Sequence, residues 1–338
     1  MPWIDNEQAI TRSMPLLSYS QPGISNGWFR IAFAVTETGS QAAAGDYFTA
    51  LELGTALVAR FGCQIAYLSK GDGWYDLAGV DVLVVMVESY ELPAIRYAEP
   101  GLITIAWARN WFERWCEQPW IADYALLLAS SRQAAYFMSQ RVGKLVRLLR
   151  IATNPDRFNL AGHPATPALD YVFTGSYWQA ARDVVAALAS LLPHFRGAIY
   201  GKNWEQVEEV SHLYRGFVPY EDIPLAYQQA AIVIDDANHV TKYWGAANSR
   251  VFDALAAGCL VITNSESVSD EVFAGKLPVY RSPADLAEQL TLYLGNPALL
   301  EETRNALRLV VLRQHLYQHR AFELSLYLDL AGLRVRQQ

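Results

Sequence analysis

The stretch from Asp235 to Asn264, DDANHVTKYWGAANSRVFDALAAGCLVITN, is the part of the chain richest in residues able to do chemistry. Asn248 is placed to cap a helix over 249–257, Gly258 stands at the left-handed position after it, and 260–263 reads as a buried strand. A helix starting on Asn248-Ser249-Arg250 presents free N–H groups and a positive dipole end, which suit an anion such as phosphate. Arg250 adds a planar fork matched to phosphate oxygens. Asp253, about one turn on, supplies a carboxylate that can accept from sugar hydroxyls. The alternative is a capped helix on a sheet, with Arg250 and Asp253 paired at its surface. Lys242 reads either as a further phosphate contact or as a solvated loop charge. His239 reads as loop packing. The pair Asp235-Asp236 alone is too little for a divalent cation, so no metal is expected.

These residues need a framework that brings strand ends together. Runs at 30–35, 63–68, 81–87, 102–107, 124–129 and 145–152 read as buried strands with helical patterns between most of them. That alternation predicts a parallel sheet with right-handed crossovers. Residues 154–169 hold three prolines and no apolar period, and read as a linker. Alternation then resumes: strands at 171–174, 198–200, 232–235 and 260–263, and helices at 178–192, 223–231, 283–294, 297–315 and 321–330. The expected division is an N-terminal domain over 1–160, a C-terminal domain over 161–315, and a closing helical segment over 316–338 that packs back toward the first domain. In open parallel sheets ligands bind beyond the carboxyl ends of the strands. With two such sheets the site lies in the cleft between them.

Composition narrows the function. The chain has 338 residues, 52% hydrophobic and 18% charged, which excludes a disordered protein and allows sizeable cores. The net charge of −7 opposes a general nucleic-acid partner, whose affinity would rest on Lys and Arg. Cys63, Cys116 and Cys259 are far apart and form no CxxC pair, so a reducing, cytoplasmic setting fits. No apolar run reaches about 18 residues, and the first twenty residues lack a signal-peptide core. The chain also holds 10 Trp and 19 Tyr, an excess that sugar stacking would explain.

The segment Asn248-Ser249-Arg250-Val251-Phe252-Asp253-Ala254-Leu255-Ala256-Ala257-Gly258 resembles the donor-site helix of GT-B glycosyltransferases of the group 1 type, in the branch similar to spore-maturation proteins. Gly216-Phe217-Val218-Pro219-Tyr220-Glu221-Asp222-Ile223-Pro224 and Asn154-Pro155-Asp156-Arg157-Phe158 resemble the same enzymes, in the same order. The resemblance implies an α/β, GT-B fold: two Rossmann-like parallel-sheet domains facing across a cleft, with acceptor bound by the first and nucleotide-sugar donor by the second. It implies sugar transfer from a nucleotide-diphosphate donor to a glycan, lipid-linked or other acceptor, metal-independent, mostly retaining, and needing no cofactor. Asp253 matches the second acid of the Glu-x7-Glu motif, which holds the donor ribose. The first acid would fall at Gly245, so its role is moved, lost or taken by a neighbour. Gly175 and Ser176 would face the donor phosphates, Lys202 and its neighbours would read the base, and Val218 and Pro219 would flank it. Arg182 reads as a solvent-facing helix charge.

On the acceptor side, Gly39 lies in a loop that is not a GxGxxG fingerprint but resembles the GT-B loop facing both substrates. Asp46 reads as a helix N-cap or a catalytic acid, and Glu37, Asp46 or Glu88 would be the base if the reaction inverts. Arg109 and Asn110 point toward the cleft. Trp107, Trp111 and Trp115 read as packing or as an acceptor platform. Trp178, Trp204 and Trp244 fall beside the proposed donor loops. The basic run Arg141, Lys144, Arg147 and Arg150 is either a solvated face or a contact with an anionic membrane surface. Gly245 also leaves open a catalytically degenerate nucleotide-sugar or glycan-binding subunit.

Overall fold

The computed structural model describes residues 29–330, apart from Ser40, Asp72, His163, Ala165, residues 179–181 and residues 192–193. Apolar, β-branched runs form two parallel sheets. The first contains β1 (Arg30–Val35), β2 (Gln64–Ser69), β3 (Val82–Val85), β4 (Ile103–Ala108), β5 (Leu126–Ala129) and β6 (Val146–Leu148), in the order β2-β1-β3-β4-β5-β6. The second contains β7 (Leu169–Thr174), β8 (Gly197–Tyr200), β9 (Ala230–Asp235) and β10 (Leu260–Thr263), in the order β10-β9-β7-β8. Both orders reverse beside their first strand, which opens a crevice at its carboxyl end.

In the first domain the crossovers carry α1 (Gly45–Phe61), α2 (Phe112–Glu117) and α3 (Arg132–Val142). Helix α1 buries Leu53 and Leu57 against the sheet and stops at Gly62, whose φ of 65° lets its N–H reach the Val58 carbonyl. In the second domain lie α4 (Asp183–Ala189), α5 (Ile223–Gln228), α6 (His239–Lys242), α7 (Ser249–Ala256), α8 (Glu266–Phe273), α9 (Pro283–Gly295) and α10 (Pro297–Gln314). The last helix, α11 (Tyr317–Leu330), leaves the second domain. Its Tyr317, Ala321 and Leu324 join the core formed by α1 and one face of the first sheet.

The GT-B architecture holds, with shorter ends than the sequence suggests. The sixth strand stops at Leu148, not 152, because the chain turns to other partners. Trp107 Nε1 takes the Leu149 carbonyl at 2.9 Å, and Thr153 pairs with Leu316. Of the helix expected over 178–192, the described helical part is Asp183–Ala189; Arg182, just before it, is extended and turns to Asp236 at the strand ends.

The two domains are also joined by an insertion that sequence periodicity conceals. Trp244 and Ala246, from the second domain, are buried in the core of the first. The Trp244 ring packs on Phe112 and Phe137, its Nε1 donates to Glu113 at 3.0 Å, and its carbonyl accepts from Ser131 Oγ at 2.6 Å. Trp244 therefore joins the domains and does not stand beside a donor loop.

Candidate functional site

The carboxyl ends of the second sheet converge on Gly175, Gly201, Asp235 and Asn264. Gly175 has φ +148° and Gly201 φ +151°, and a Cβ on Gly201 would lie 2.2 Å from the Gly175 carbonyl oxygen. The two loops thus meet backbone to backbone, which only glycine permits. Ser176 Oγ accepts from the Lys202 N–H at 3.1 Å, and Trp204 Nε1 donates to the Gly175 carbonyl at 2.6 Å. Trp204 is fully buried, so it shapes the loop and offers no stacking face. Trp178 is exposed.

Helix α7 begins as its sequence predicts: Asn248 Oδ1 accepts from the Arg250 N–H at 3.1 Å, and Gly258 takes φ +91° after the end. The Arg250 side chain does not pair with Asp253. Its Nε donates to the Thr174 carbonyl at 2.6 Å and its Nη1 to Asp235 at 2.7 Å, with both side chains buried. The guanidinium lies over the Phe173 ring and fills the space a side chain at 175 would need.

The other cations are similarly paired. Arg182 is buried, not solvent-facing, and donates to Asp236 at 2.7 Å. Burial raises the Asp236 carboxyl above its ordinary range, against the pull of Arg182. Lys242 donates to Asp183 at 2.6 Å, and that contact holds the Asp183 carboxyl below its ordinary range. Lys202 is different. Among the described residues it has no carboxylate partner; its Nζ crosses the cleft to the Gln41 carbonyl at 3.1 Å and lies 4.7 Å from the Phe217 ring centre. Val218 is half-buried in the same loop.

Asp253 looks toward the hinge. Its Oδ1 accepts from Thr153 Oγ1 at 2.6 Å, Ser249 also bonds to it, and burial raises its carboxyl well above the ordinary range. Beside it Glu52 of α1, buried, accepts from Asn154 at 2.5 Å and from Arg157 at 2.7 Å. Across the cleft Phe48 stacks on Tyr220 with centroids 4.2 Å apart and planes 12° from parallel. Glu52, Thr49 and Phe48 escape a motif reading. Their signal is weak: Asp46, Thr49 and Glu52 repeat every three residues on one face of a helix that is otherwise apolar, and all three are buried.

The acceptor-side residues divide. Asp46 does not cap α1, whose N-cap is Ala44; its carboxylate accepts from the Thr36 N–H at 2.6 Å, Thr36 Oγ1 at 2.7 Å and the Tyr47 N–H at 3.0 Å. Glu37 accepts from the N–H groups of Ala43 and Ala44 at 2.5 and 2.7 Å. Glu88 is half-buried, 3.6 Å from Arg114. Gly39, at φ +104°, closes a turn in which its carbonyl accepts from Ala42. Trp107 and Trp115 are fully buried and form no platform. Trp111 is half-buried at the start of α2, with Arg114 over its ring and His239 of the second domain at its edge. Arg109 is desolvated, which lowers its pKa against the pull of Asp46, and it makes one long bond of 3.4 Å to Thr49.

The position of the missing motif acid is now explained. Gly245 has φ +61°, and a Cβ there would lie 3.0 Å from Ser267 Cβ on α8. The backbone that inserts Trp244 into the first domain thus holds position 245 in a left-handed conformation, crowded against Ser267, where an acid would be strained. The basic run is also divided: Lys144 donates to the Ala122 and Tyr124 carbonyls, Arg147 lies over Tyr327, and Arg150 is buried against Glu271. Among the described residues no group of three or more His, Cys, Asp or Glu is placed to hold a metal, and no helix is long and apolar enough to cross a membrane.

Residues 176–325 match a family model described as glycosyl transferase-like. The chain has the GT-B fold, and its C-terminal domain is similar to that family over the matched residues. The fold extends over the whole described chain in solved structures. Sucrose-phosphate synthase from Thermosynechococcus elongatus is 13% identical, with TM-score 0.66, covering 90% of this chain and 100% of that one. HepE from Anabaena, solved with UDP-glucose, is 10% identical, with TM-score 0.65, covering 89% and 99%. AviGT4, a glycosyltransferase of avilamycin A biosynthesis, is 15% identical, with TM-score 0.62, covering 90% and 98%. No curated protein sequence matches the chain significantly.

Proposed function

We propose that this GT-B protein transfers a sugar from a nucleotide-diphosphate donor to a glycan or lipid-linked acceptor, without a metal and with retention of configuration. One observation carries the reading: Lys202, the one cation of the second-domain site without a carboxylate partner among the described residues, reaches the Gln41 carbonyl of the first domain from a loop joined to Gly175 and Ser176, against which Arg250 of α7 packs. A diphosphate placed there would accept from the Ser249 N–H and from Lys202 in place of the Gln41 carbonyl, the Arg250 N–H being held by the Asn248 cap. Such a clamp stabilises the charge that grows on the departing diphosphate. Arg250, fixed by Asp235 and Thr174, adds field from behind the loop. Ribose binding at Asp253 requires a ribose hydroxyl to replace Thr153.

Retention is supported by the engagement of two of the three first-domain acids that could act as base; the third, Glu88, lies 3.6 Å from Arg114. Asp46 and Glu37 are each held by at least two backbone or hydroxyl donors, so neither is poised to take an acceptor proton. A uridine donor is favoured because HepE, which shares the fold, is solved with UDP-glucose. The test is a panel of UDP-, GDP-, dTDP- and ADP-sugars, scored by thermal shift and by released nucleotide. Stabilisation and release with a UDP-sugar, both weakened about tenfold or more in K202A through loss of a charge-assisted bond, support the reading. Tight donor binding with no turnover toward any acceptor favours a binding subunit.

A further inference from the structure

Away from the donor cleft, a groove of about 470 Å³ opens where the chain crosses back from α10 to α11. Its polar side is made by Arg150, Gln314, His315, His319, Arg320 and Glu323, and its apolar side by Leu148, Phe322, Leu326 and Tyr327.

The hydrogen bonds fix what the polar side offers. Arg320 Nη2 lies 2.8 Å from His315 Nδ1, and arginine can only donate, so Nδ1 accepts and the ring proton sits on Nε2. The Leu316 N–H donates to His319 Nδ1 at 3.1 Å, which fixes the same tautomer there. With Nδ1 accepting, neither ring carries a second proton, and burial, with Arg320 adding to it, acts the same way by lowering both pKa values, that of His315 to about 3. Arg320 is buried, and its Nε has no partner among the described residues. Two ring N–H groups, one guanidinium N–H and the remaining protons of Arg150 are thus the donors held by residues that line this one groove. The carboxylates in reach are already paired, Glu323 with Arg320 at 2.8 Å and Glu271 with Arg150.

We propose that this groove is a second binding site, for a phosphate group carried on an apolar body. A tetrahedral anion supplies only acceptors, which is what four donor groups lining one groove, one of them an orphaned buried N–H, require. The apolar wall takes the chain or ring attached to it. The site owes nothing to the donor cleft. The phosphate can come from a soluble monoester or from a lipid headgroup, and the two are separable by experiment.

The test uses the full chain and calorimetric titration with hexyl phosphate, inorganic phosphate, hexanol and hexyltrimethylammonium. Hexyl phosphate is expected to bind about tenfold or more tightly than inorganic phosphate, because each buried methylene contributes, and hexanol and the cation to bind weakly or not at all. H319A is expected to weaken hexyl phosphate at least about tenfold, as loss of one bond to a charged group does, and L326E to abolish the advantage over inorganic phosphate. K202A is expected to leave it unchanged, which separates this site from donor binding. Retention by vesicles containing phosphatidic acid, lost in L326E, assigns the phosphate to a lipid; binding of hexyl phosphate without vesicle retention assigns it to a soluble monoester. Hexyl phosphate binding no tighter than hexanol, or unaffected by both H319A and L326E, overturns the proposal.

Discussion

Arg250 bonds to Asp235 across the strand ends, Nη1 to Oδ1 at 2.7 Å, and leaves Asp253, one turn along its own helix, to Thr153. The two charged residues of the motif therefore serve different ends of α7: one braces the loops around the cleft, the other ties the helix to the hinge.

That division predicts an asymmetry in stability. R250M leaves Asp235 charged and buried without its cation, and is expected to cost about 3–5 kcal/mol. R250M/D235N removes the stranded charge and is expected to be more stable than R250M alone. Urea denaturation of the parent, R250M, D235N and R250M/D235N checks this; a double variant no better than R250M would show that the pair is not coupled.

The hinge carboxyl predicts a pH effect. Burial raises Asp253 above its unfolded value, so the native state holds this proton more tightly than the unfolded chain does. Its contribution is fullest below the ordinary carboxylate range and is lost as pH rises toward the native value. D253N stays neutral throughout, so its urea midpoint is expected to gain on the parent's from about pH 4 upward. A difference that does not vary between pH 4 and 8 would contradict a raised Asp253.

Trp244 predicts that the domains are held by more than a hinge. W244A empties a large site in the first-domain core and is expected to cost about 3–5 kcal/mol. Small-angle scattering of W244A is expected to show a larger radius of gyration than the parent, as the second domain loses its anchor. An unchanged radius with the expected loss of stability would make Trp244 a core residue without a joining role.

Restoring the motif acid is expected to fail. G245E places a side chain at φ +61° and 3.0 Å from Ser267, and is expected to lose about 1 kcal/mol or more with no gain in donor turnover. A rise in turnover would show that the acid can still reach the cleft.

Much of this was legible from residues alone. Short apolar runs between helices give the two parallel sheets, because burial on both faces selects Val, Ile and Leu without alternation. The Asn248 cap and Gly258 terminator are local chemistry and stand as read. The failures share one cause: long-range partners. Nothing near Lys242 or Arg182 reveals Asp183 or Asp236 as its counter-ion, and nothing near Asp46 reveals Thr36. Tryptophan spacing could not separate Trp107, sealed in a strand, from a platform, since both use the same aromatic surface. Glu52 and Thr153 acquire meaning only when α1, the linker and α7 meet.

The central claim is that a nucleotide-sugar diphosphate binds at the α7 N-terminus with Lys202. The most direct measurement is the donor Kd of the parent, K202A and K242A by calorimetry with UDP-sugar. A loss of about tenfold or more is expected in K202A, and little change in K242A, because Lys242 is already paired with Asp183. Equal affinity in the parent and K202A, or a greater loss in K242A, would contradict it.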